Sequence, residues 1–303
     1  IGQKQHGSLL AAKPVPSDVG IVMVPETQIH NYCRAGDVLH YTQSIRGTYL
    51  TMLYQNLQVD FVPADDIPNH LTALYLPYPV MLPADIANRL KEWVRMGGTL
   101  ISEGCPGYFG DRGRAGTVQP NLGLDELFGA RESFVQFTPD LLEELVVTLN
   151  DGTKVDGGIY LQTYEPTSGE AFAHDGDGRI VGVQNQFGKG RTILLGTFPG
   201  SRAIDGKRNR EYFARVFEWS GRKAAVEGDE SRLIARLQFN DEDGKHYLWV
   251  VNATRKPLKG KFTIGQPWAK PRSITTLRGT ASLLDDHSLD VAVAAREVTI
   301  VAW

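Results

Sequence analysis

Apolar residues recur with two different periods along the first half of the chain. Residues 19–24 (VGIVMV) are nearly all apolar, as expected for a strand that is covered on both faces. Residues 36–57 instead carry apolar side chains at roughly helical spacing. Residues 59–63 and 73–77 are again short and β-like. Strand-like segments that alternate with helix-like ones predict a parallel sheet with crossover helices.

A helix and a strand with clear boundaries come next. Residues 83–96 predict an amphipathic helix, opened by a proline and followed by two glycines. Its apolar face carries Ile86, Leu90, Trp93 and Val94. Residues 99–102 (TLIS) predict the following strand, so Cys105 lies just beyond the carboxyl end of a parallel strand. Open α/β sheets bind their ligands at that edge.

The pattern changes to β after about residue 131. Residues 146–151 and 154–164 predict two strands joined by an Asp-Gly turn. Residues 179–197 predict a hairpin that turns at its Phe-Gly-Lys-Gly sequence. A last helix is predicted over residues 209–221, where a glycine stops it.

Length and shifts in composition predict two domains. At 303 residues the chain exceeds the size at which one hydrophobic core usually stops growing. Residues 18–221 are the predicted α/β domain, and the polar residues 222–231 are a linker. Residues 232–303 alternate polar and apolar positions, which suits a small antiparallel β-sandwich. Residues 1–17 are predicted to be a connecting segment.

The composition is that of a folded protein and narrows the classes of partner. Hydrophobic residues are 42% and charged residues 22% of the chain. The net charge of −3 gives no basic surface for nucleic acid or an anionic membrane. No apolar run approaches the roughly 20 residues that span a bilayer, and the first residues lack the apolar core of a signal peptide. We expect no nucleic-acid or membrane partner, and a soluble protein for which the cytoplasm is favoured.

Motifs for metals and cofactors are missing from the sequence. The two cysteines, Cys33 and Cys105, belong to no CxxC or Cys/His cluster. The seven histidines show no metal-ligand spacing. The Gly-Lys-Gly of residues 188–190 lacks the frame of a phosphate loop. We therefore predict neither a metal site nor a cofactor.

Cys105 is the candidate nucleophile. A strand that ends in a glycine-flanked turn with a cysteine resembles the nucleophile elbow of α/β enzymes. Two features count against this chemistry: Pro106 has no N–H to stabilise an oxyanion, and residues 192–203 contain no histidine to act as the base. Without a base, the thiol stays largely protonated near its free pKa of about 8.5.

The segment 107–129 is too long and too polar for a plain connection. It interleaves glycines with aromatic, charged and amide side chains: Tyr108, Phe109, Asp111, Arg112, Arg114 and Gln119. One interpretation is an Ω-loop that packs on itself at the surface. The other is a loop that reaches a neighbouring subunit or the active site of another domain, which makes these six residues candidate interface or site residues.

Tryptophans in the last domain are candidates for stacking on a sugar ring. Trp249 lies inside an alternating strand, where core packing is the simpler interpretation. Trp268, in the sequence Gln-Pro-Trp-Ala, is the better surface candidate. A carbohydrate is accordingly a candidate ligand.

Three segments of the chain have distinctive sequences: ALYLPYPVMLPADIANRLKEWVRMGGTLISEG (73–104), FGKGRTILLGTFPG (187–200) and YLWVVNATRKPL (247–258). Together they resemble the C-terminal part of the β-galactosidases of glycoside hydrolase family 42. The resemblance implies a trimerisation domain with a degenerate amidotransferase-like (flavodoxin-like) parallel sheet and flanking helices, then a small antiparallel β-sandwich. It also implies a homotrimer.

The same resemblance places the chemistry elsewhere. The catalytic glutamates of that family belong to a TIM barrel, which this chain lacks, so no catalytic residue is carried over. The barrel would lie upstream or on a separate chain, and the turn at Cys105 would be a relic of the fold.

Three functions remain open at this point. The leading interpretation is a non-catalytic oligomerisation and accessory region of a β-galactosidase-like glycoside hydrolase. The first alternative is an amidotransferase-like thiol enzyme that uses Cys105. The second is a carbohydrate-binding module, which depends on exposed aromatic residues within 232–303.

Overall fold

The computed structural model describes residues 2–138, 144–203, 208–221 and 224–303. Internal contacts divide the chain into two compact units. The α/β unit comprises Asp18–Thr51 and Val59–Ser220. The β unit comprises Ile1–Ser17, Met52–Gln58 and Gly221–Trp303, so it is built from three separate stretches of the chain.

The described helices, in chain order, are α1 (Gly2–Ala11), α2 (Pro25–Ala35), α3 (Leu39–Leu53), α4 (Ala84–Arg95), α5 (Leu124–Phe128), α6 (Pro199–Arg202) and α7 (Arg208–Ser220), with a 3₁₀ turn at Asp111–Gly113. The first twelve strands are β1 (Lys13–Pro14), β2 (Val19–Met23), β3 (Asp60–Pro63), β4 (Ala73–Leu76), β5 (Thr99–Ser102), β6 (Ala130–Thr138), β7 (Val146–Leu149), β8 (Lys154–Asp156), β9 (Ile159–Pro166), β10 (Glu170–His174), β11 (Ile180–Phe187) and β12 (Gly190–Leu195). The remaining strands are β13 (Val226–Gly228), β14 (Leu233–Asn240), β15 (Lys245–Asn252), β16 (Leu258–Ile264), β17 (Thr275–Arg278), β18 (Thr280–Leu283), β19 (Leu289–Val293) and β20 (Val298–Ala302).

A nine-stranded mixed sheet is the frame of the α/β unit. Its strand order is β3-β2-β4-β5-β12-β11-β10-β7-β8. The first five strands run parallel to one another, as the alternating pattern predicts. The other four are antiparallel to their neighbours, so the sheet is mixed and not wholly parallel. The predicted hairpin is confirmed as β11 and β12, with Phe187 opposite Gly190.

Helix α4 confirms the prediction for residues 83–96. Its apolar face is buried and shares one core with the sheet, through Ile86, Leu90 and Val94 on the helix and Leu74, Leu100 and Leu194 on the strands. Trp93 is partly buried against the same core. A Cβ atom on Gly98 would lie 2.3 Å from the indole ring, so the close approach after the helix requires glycine.

The prediction of one strand over residues 154–164 is wrong. The chain breaks after β8, and β9 leaves the nine-stranded sheet to pair with β6 in a separate two-stranded sheet. The break falls at Gly157 and Gly158, where a Cβ on Gly157 would lie 2.4 Å from the Thr197 hydroxyl. Ile159, the first residue of β9, then has φ +69°, outside the range of regular strand backbone.

Two antiparallel sheets form the β unit. Their orders are β1-β14-β15-β20-β17 and β13-β16-β19-β18. Alternate residues of both sheets point into a single apolar core, which includes Leu237, Leu248, Phe262 and Val291. Both sheets are antiparallel, as the alternation of residues 232–303 predicts.

Segments outside 232–303 also contribute strands to the β unit. Strand β1, within residues 1–17, pairs with β14, so that Lys13 lies opposite Phe239. Residues 226–228, within the segment predicted as a linker, form β13 and pair with β16. Residues 222–223 of that segment lie outside the described residues.

Candidate functional site

The turn after β5 has the backbone strain of a nucleophile elbow. Cys105 has φ +56°, in the left-handed region that few non-glycine residues adopt. The Gly104 N–H donates to the Thr197 carbonyl at 3.0 Å, and the Gly107 N–H donates to the Pro79 carbonyl at 2.8 Å. Neighbouring segments therefore hold both sides of the turn and maintain the strained residue between them.

The Cys105 side chain points into apolar surroundings. It is 3% exposed and packs with Tyr41, Tyr78, Val80 and Phe198. Burial is the main cause that raises the pKa of this thiol well above its ordinary value, and the negative charge of Glu132 raises it further. Both causes favour the neutral thiol, which is neither a nucleophile nor a metal ligand.

Polar groups near Cys105 are occupied in holding the backbone. The Cys105 N–H donates to Gln162 Oε1 at 2.7 Å, and the Tyr164 hydroxyl donates to the same oxygen. Gln162 Nε2 donates to Glu132 Oε2 at 2.6 Å. Desolvation raises the pKa of Glu132, against a smaller lowering by the Gln162 hydrogen bond. In an active elbow an N–H at this turn would be directed at an oxyanion, whereas the Cys105 N–H is already paired.

A second carboxyl group, Glu103, is fully buried two residues before the cysteine. Its Oε1 accepts hydrogen bonds from the Tyr75 hydroxyl at 3.0 Å and from the Gly200 N–H at 2.8 Å. Its Oε2 accepts from the Tyr78 N–H at 2.8 Å and from the Ser44 hydroxyl. Glu103 therefore joins α3, β4, the segment after β4 and α6.

Burial and hydrogen bonding act on Glu103 in opposite directions. Desolvation is the largest cause and raises its pKa, and the four hydrogen bonds lower it by less. Since each carboxyl oxygen already accepts two hydrogen bonds, neither is available to take a proton from a substrate. We interpret Glu103 as a structural anchor at the carboxyl edge of the parallel strands.

The segment 107–129 packs mainly on its own unit. Phe109 forms bridges to Met81 and Ala115, and its ring lies 4.6 Å from the ring of His30. Gln119 is buried, and its Nε2 donates to the Tyr108 carbonyl at 3.1 Å. These contacts fold the segment back on itself, which favours the self-packed interpretation.

The three charged candidates of this segment lie at its surface. Asp111, Arg112 and Arg114 are exposed. Asp111 Oδ1 accepts a hydrogen bond from the Ala84 N–H at 3.2 Å, at the start of α4. The structure thus divides the six candidates: Tyr108, Phe109 and Gln119 support the turn, and the charged residues face outward.

Trp268, expected to be an exposed aromatic, is partly buried. Its ring packs on the apolar core of the β unit. The centroid of this ring lies 6.2 Å from that of Phe239 and 6.1 Å from that of His246. It belongs to the β unit, whereas Cys105 and the segment 107–129 belong to the α/β unit.

The carboxyl and amide groups that determine the environment of the turn were not predicted from the sequence. Glu103 directly follows a fully buried strand, and this position was the available signal for a buried carboxylate. Gln162 lies among buried residues of β9, where a polar residue has to find a hydrogen-bond partner. Among the described residues, no group of three His, Cys, Asp or Glu side chains is placed to hold a metal ion. No helix in the described part of the chain is both long and apolar enough to cross a membrane.

Comparison with known proteins gives one family match. The sequence model of the β-galactosidase trimerisation domain matches residues 26–221. A curated relative, the 1,3-β-galactosyl-N-acetylhexosamine phosphorylase of Lachnoclostridium phytofermentans, is 24% identical over 215 residues, which is 71% of this chain and 26% of the relative.

Solved structures resemble the whole chain. The β-galactosidase from Bacillus circulans sp. alkalophilus superposes with a TM-score of 0.76 at 17% identity, over 99% of this chain and 43% of that one. The cold-adapted β-galactosidase from Rahnella sp. R3 gives a TM-score of 0.74 at 15% identity, over 96% and 41%. The chain thus spans about a quarter of the curated relative and about two fifths of the solved ones, and these similarities identify a shared fold.

Proposed function

Since the chain belongs to the β-galactosidase trimerisation domain family, we propose that it is the self-association and accessory region of a glycoside hydrolase and is not catalytic by itself. The family match carries the self-association part of this proposal, and the state of the turn at Cys105 carries the non-catalytic part. The turn keeps its strained φ of +56° at Cys105, but the thiol is buried and neutral. The backbone N–H of Cys105 itself already donates to Gln162 Oε1.

The proposal includes a more specific fold type, a degenerate amidotransferase-like (flavodoxin-like) domain. The five parallel strands follow the order second, first, third, fourth, fifth along the chain, which is the order of flavodoxin-like sheets. Cys105 follows the fourth of these strands. Residues 18–221 would associate, and residues 232–303 would be the accessory sandwich.

The partners in this proposal are further copies of the chain and a catalytic barrel. The larger size of the relatives supports a catalytic domain outside this chain, upstream or on a separate polypeptide. The names of the relatives support a substrate with a β-galactosyl group, and a hydrolase and a phosphorylase both occur among them. Cys33 and Cys105 are both free thiols, which supports a reducing compartment such as the cytoplasm.

Light scattering coupled to size exclusion tests the proposal. We expect a stable mass near three times 33.5 kDa over a range of protein concentrations. The pure chain should not hydrolyse a nitrophenyl galactoside. A monomer at every concentration would overturn the self-association function, and turnover by the pure chain would overturn the non-catalytic assignment.

The thiol-enzyme alternative makes a different prediction. It requires a reactive Cys105, whereas burial raises the pKa of this thiol. Iodoacetamide should label Cys105 no faster in the native protein than in the unfolded chain. Faster labelling would restore this alternative.

A further inference from the structure

Helix α2 has its polar and apolar faces reversed relative to an ordinary surface helix. Its two buried side chains are Thr27 and Asn31, each 0% exposed. Two of its large apolar side chains, Ile29 and Tyr32, are 62% and 60% exposed. A helix at the surface of a globular protein normally turns its apolar stripe toward the core. The reversed order indicates that the outer face meets something other than water.

Hydrogen bonds fix the helix in this orientation. The Thr27 hydroxyl donates to the Met81 carbonyl, and Asn31 Oδ1 accepts from the Tyr41 N–H at 3.1 Å. Rotation of the helix to bury Ile29 would break both bonds and leave the buried Tyr41 N–H without this acceptor. The exposed apolar face is therefore a fixed property of the fold.

The exposed apolar side chains of α2 lie on one side of the helix, and a further exposed apolar residue follows at the start of α3. Ile29, Tyr32 and Cys33 are spaced i, i+3 and i+4, so they lie on one side of α2. The helix ends at Gly36, with φ +78°, and Leu39, the first residue of α3, is 50% exposed. Contiguous exposed apolar groups on a soluble protein usually mark an interaction site.

A hydrogen bond and a ring contact connect helix α2 to strand β6, from the flank of the helix that carries Arg34. Arg34 Nη1 donates to the Tyr160 hydroxyl at 2.6 Å, and the Tyr160 ring lies 5.3 Å from the ring of Phe137. Phe137 and Phe134 are 52% and 49% exposed on β6. In the described part of the chain β6 pairs with β9 alone, so its other edge is open to a partner.

We propose that the outer face of α2, together with Leu39 and Phe137, binds a second copy of this chain. This α2 surface, defined by Ile29, Tyr32, Leu39 and Phe137, rests on the proposed self-association function. The match to a trimerisation domain begins at residue 26 and includes all four residues. The proposal thus names the surface on which the copies meet.

Size explains why the helix and the strand have to act together. A stable interface buries about 800 Å² on each partner. An eleven-residue helix is only about 16 Å long, so α2 alone presents too little surface. The Arg34–Tyr160–Phe137 contacts hold β6, with its exposed Phe134 and Phe137, beside α2, so that both elements can contribute area to one interface.

A double substitution with a matched control tests the surface. Ile29→Glu with Tyr32→Glu places two charges on the α2 surface. Met96→Glu with Leu10→Glu adds the same charges at side chains that are 67% and 63% exposed and lie outside it. We expect the first variant to lose the oligomer at concentrations where the control keeps the mass of the unmodified chain, with far-ultraviolet circular dichroism unchanged in both.

Cys33 provides a measurement that needs no substitution at the interface. It is exposed and Cys105 is buried, so a bulky maleimide added to the native protein reports on Cys33. We expect its labelling to be several-fold slower in the oligomer than in monomer obtained by dilution far enough to dissociate the oligomer.

The outcomes separate the two proposals. A monomeric unmodified chain would overturn the self-association function. An oligomer that survives Ile29→Glu/Tyr32→Glu, or a Cys33 labelling rate that is the same in the oligomer and in the dissociated monomer, would overturn the α2 surface and leave self-association standing.

Discussion

The carboxylate of Glu103 accepts a hydrogen bond from the backbone N–H of Gly200, 97 residues further along the chain, with Oε1 and N 2.8 Å apart. This contact fixes the start of α6 against the carboxyl end of β5. The same carboxylate also accepts the Tyr78 N–H, so two backbone donors depend on one side chain. The turn at Cys105 lies between these anchored segments.

Glu103→Gln should destabilise the protein although it preserves size and shape. An amide has one accepting oxygen, so either the Gly200 or the Tyr78 N–H would face an NH₂ group. We expect the free energy of unfolding to fall by about 1–3 kcal/mol, the cost of an unsatisfied buried donor. Urea denaturation measures this change. Glu92→Gln, at an exposed glutamate of α4, is the control and should be nearly neutral.

The pH dependence of stability should also differ between the unmodified chain and Glu103→Gln. Burial raises the folded-state pKa of Glu103 above its ordinary value of 4.5, so the native state holds this proton more tightly than the unfolded chain. This tighter proton binding contributes to the free energy of unfolding. The contribution is fully present below pH 4.5 and is lost as pH rises through the folded-state pKa of Glu103. The difference in unfolding free energy between the unmodified chain and Glu103→Gln should therefore shrink as pH rises. A difference that grows with pH would show that hydrogen bonding outweighs desolvation at this site.

Gln162→Leu should weaken the turn at Cys105. The substitution removes the acceptor of the Cys105 N–H and the donor to Glu132. We expect a loss of about 1–3 kcal/mol in unfolding free energy, because buried polar groups lose their partners. Gln136→Leu, on the paired strand and exposed, is the matched control. Equal effects of the two substitutions would contradict the role assigned to Gln162.

Gly47→Ala should destabilise the chain, contrary to the usual effect of alanine in a helix. A Cβ on Gly47 would lie 1.9 Å from the Gly200 carbonyl oxygen, so α3 would have to move away from α6. We expect a loss of about 1–3 kcal/mol, typical of overpacking. Gly7→Ala in α1, with nothing within 4 Å of the added atom, should instead gain roughly 0.5–1 kcal/mol. Thermal denaturation of both variants decides the point.

A thiol titration should find one reactive cysteine in the native protein and two after unfolding. Cys33 is exposed, whereas Cys105 is buried and burial raises its pKa. Cys33→Ser should abolish the native reaction and leave one thiol in denaturant. A fast second thiol in the native chain would show that the turn opens.

Sequence periodicity predicted the elements that bury apolar faces and failed for those that do not. Helix α4 was predicted because Ile86, Leu90 and Val94 alternate with polar residues at helical spacing. Helix α2 was missed because its inner face carries Thr27 and Asn31, so no apolar stripe marks the buried side.

In the region around Cys105, too, local features were predictable from the sequence and long-range contacts were not. The position of Cys105 at the end of a parallel strand followed from the order of segments, since strand ends are local. The partners of Glu103 and of Gln162 come from distant segments whose approach depends on the tertiary fold. No local pattern identifies such pairs before the sheet order is known.

The pairing of Lys13 with Phe239 has a consequence for synthesis on the ribosome. Strand β1 precedes the α/β unit in the sequence, but its partner β14 is made only after the whole of that unit. The α/β unit is complete at Ser220 and can fold while translation continues, since domains generally fold as units. The β unit has to wait for its last strands, so β1 remains without its neighbour throughout the synthesis of the α/β unit.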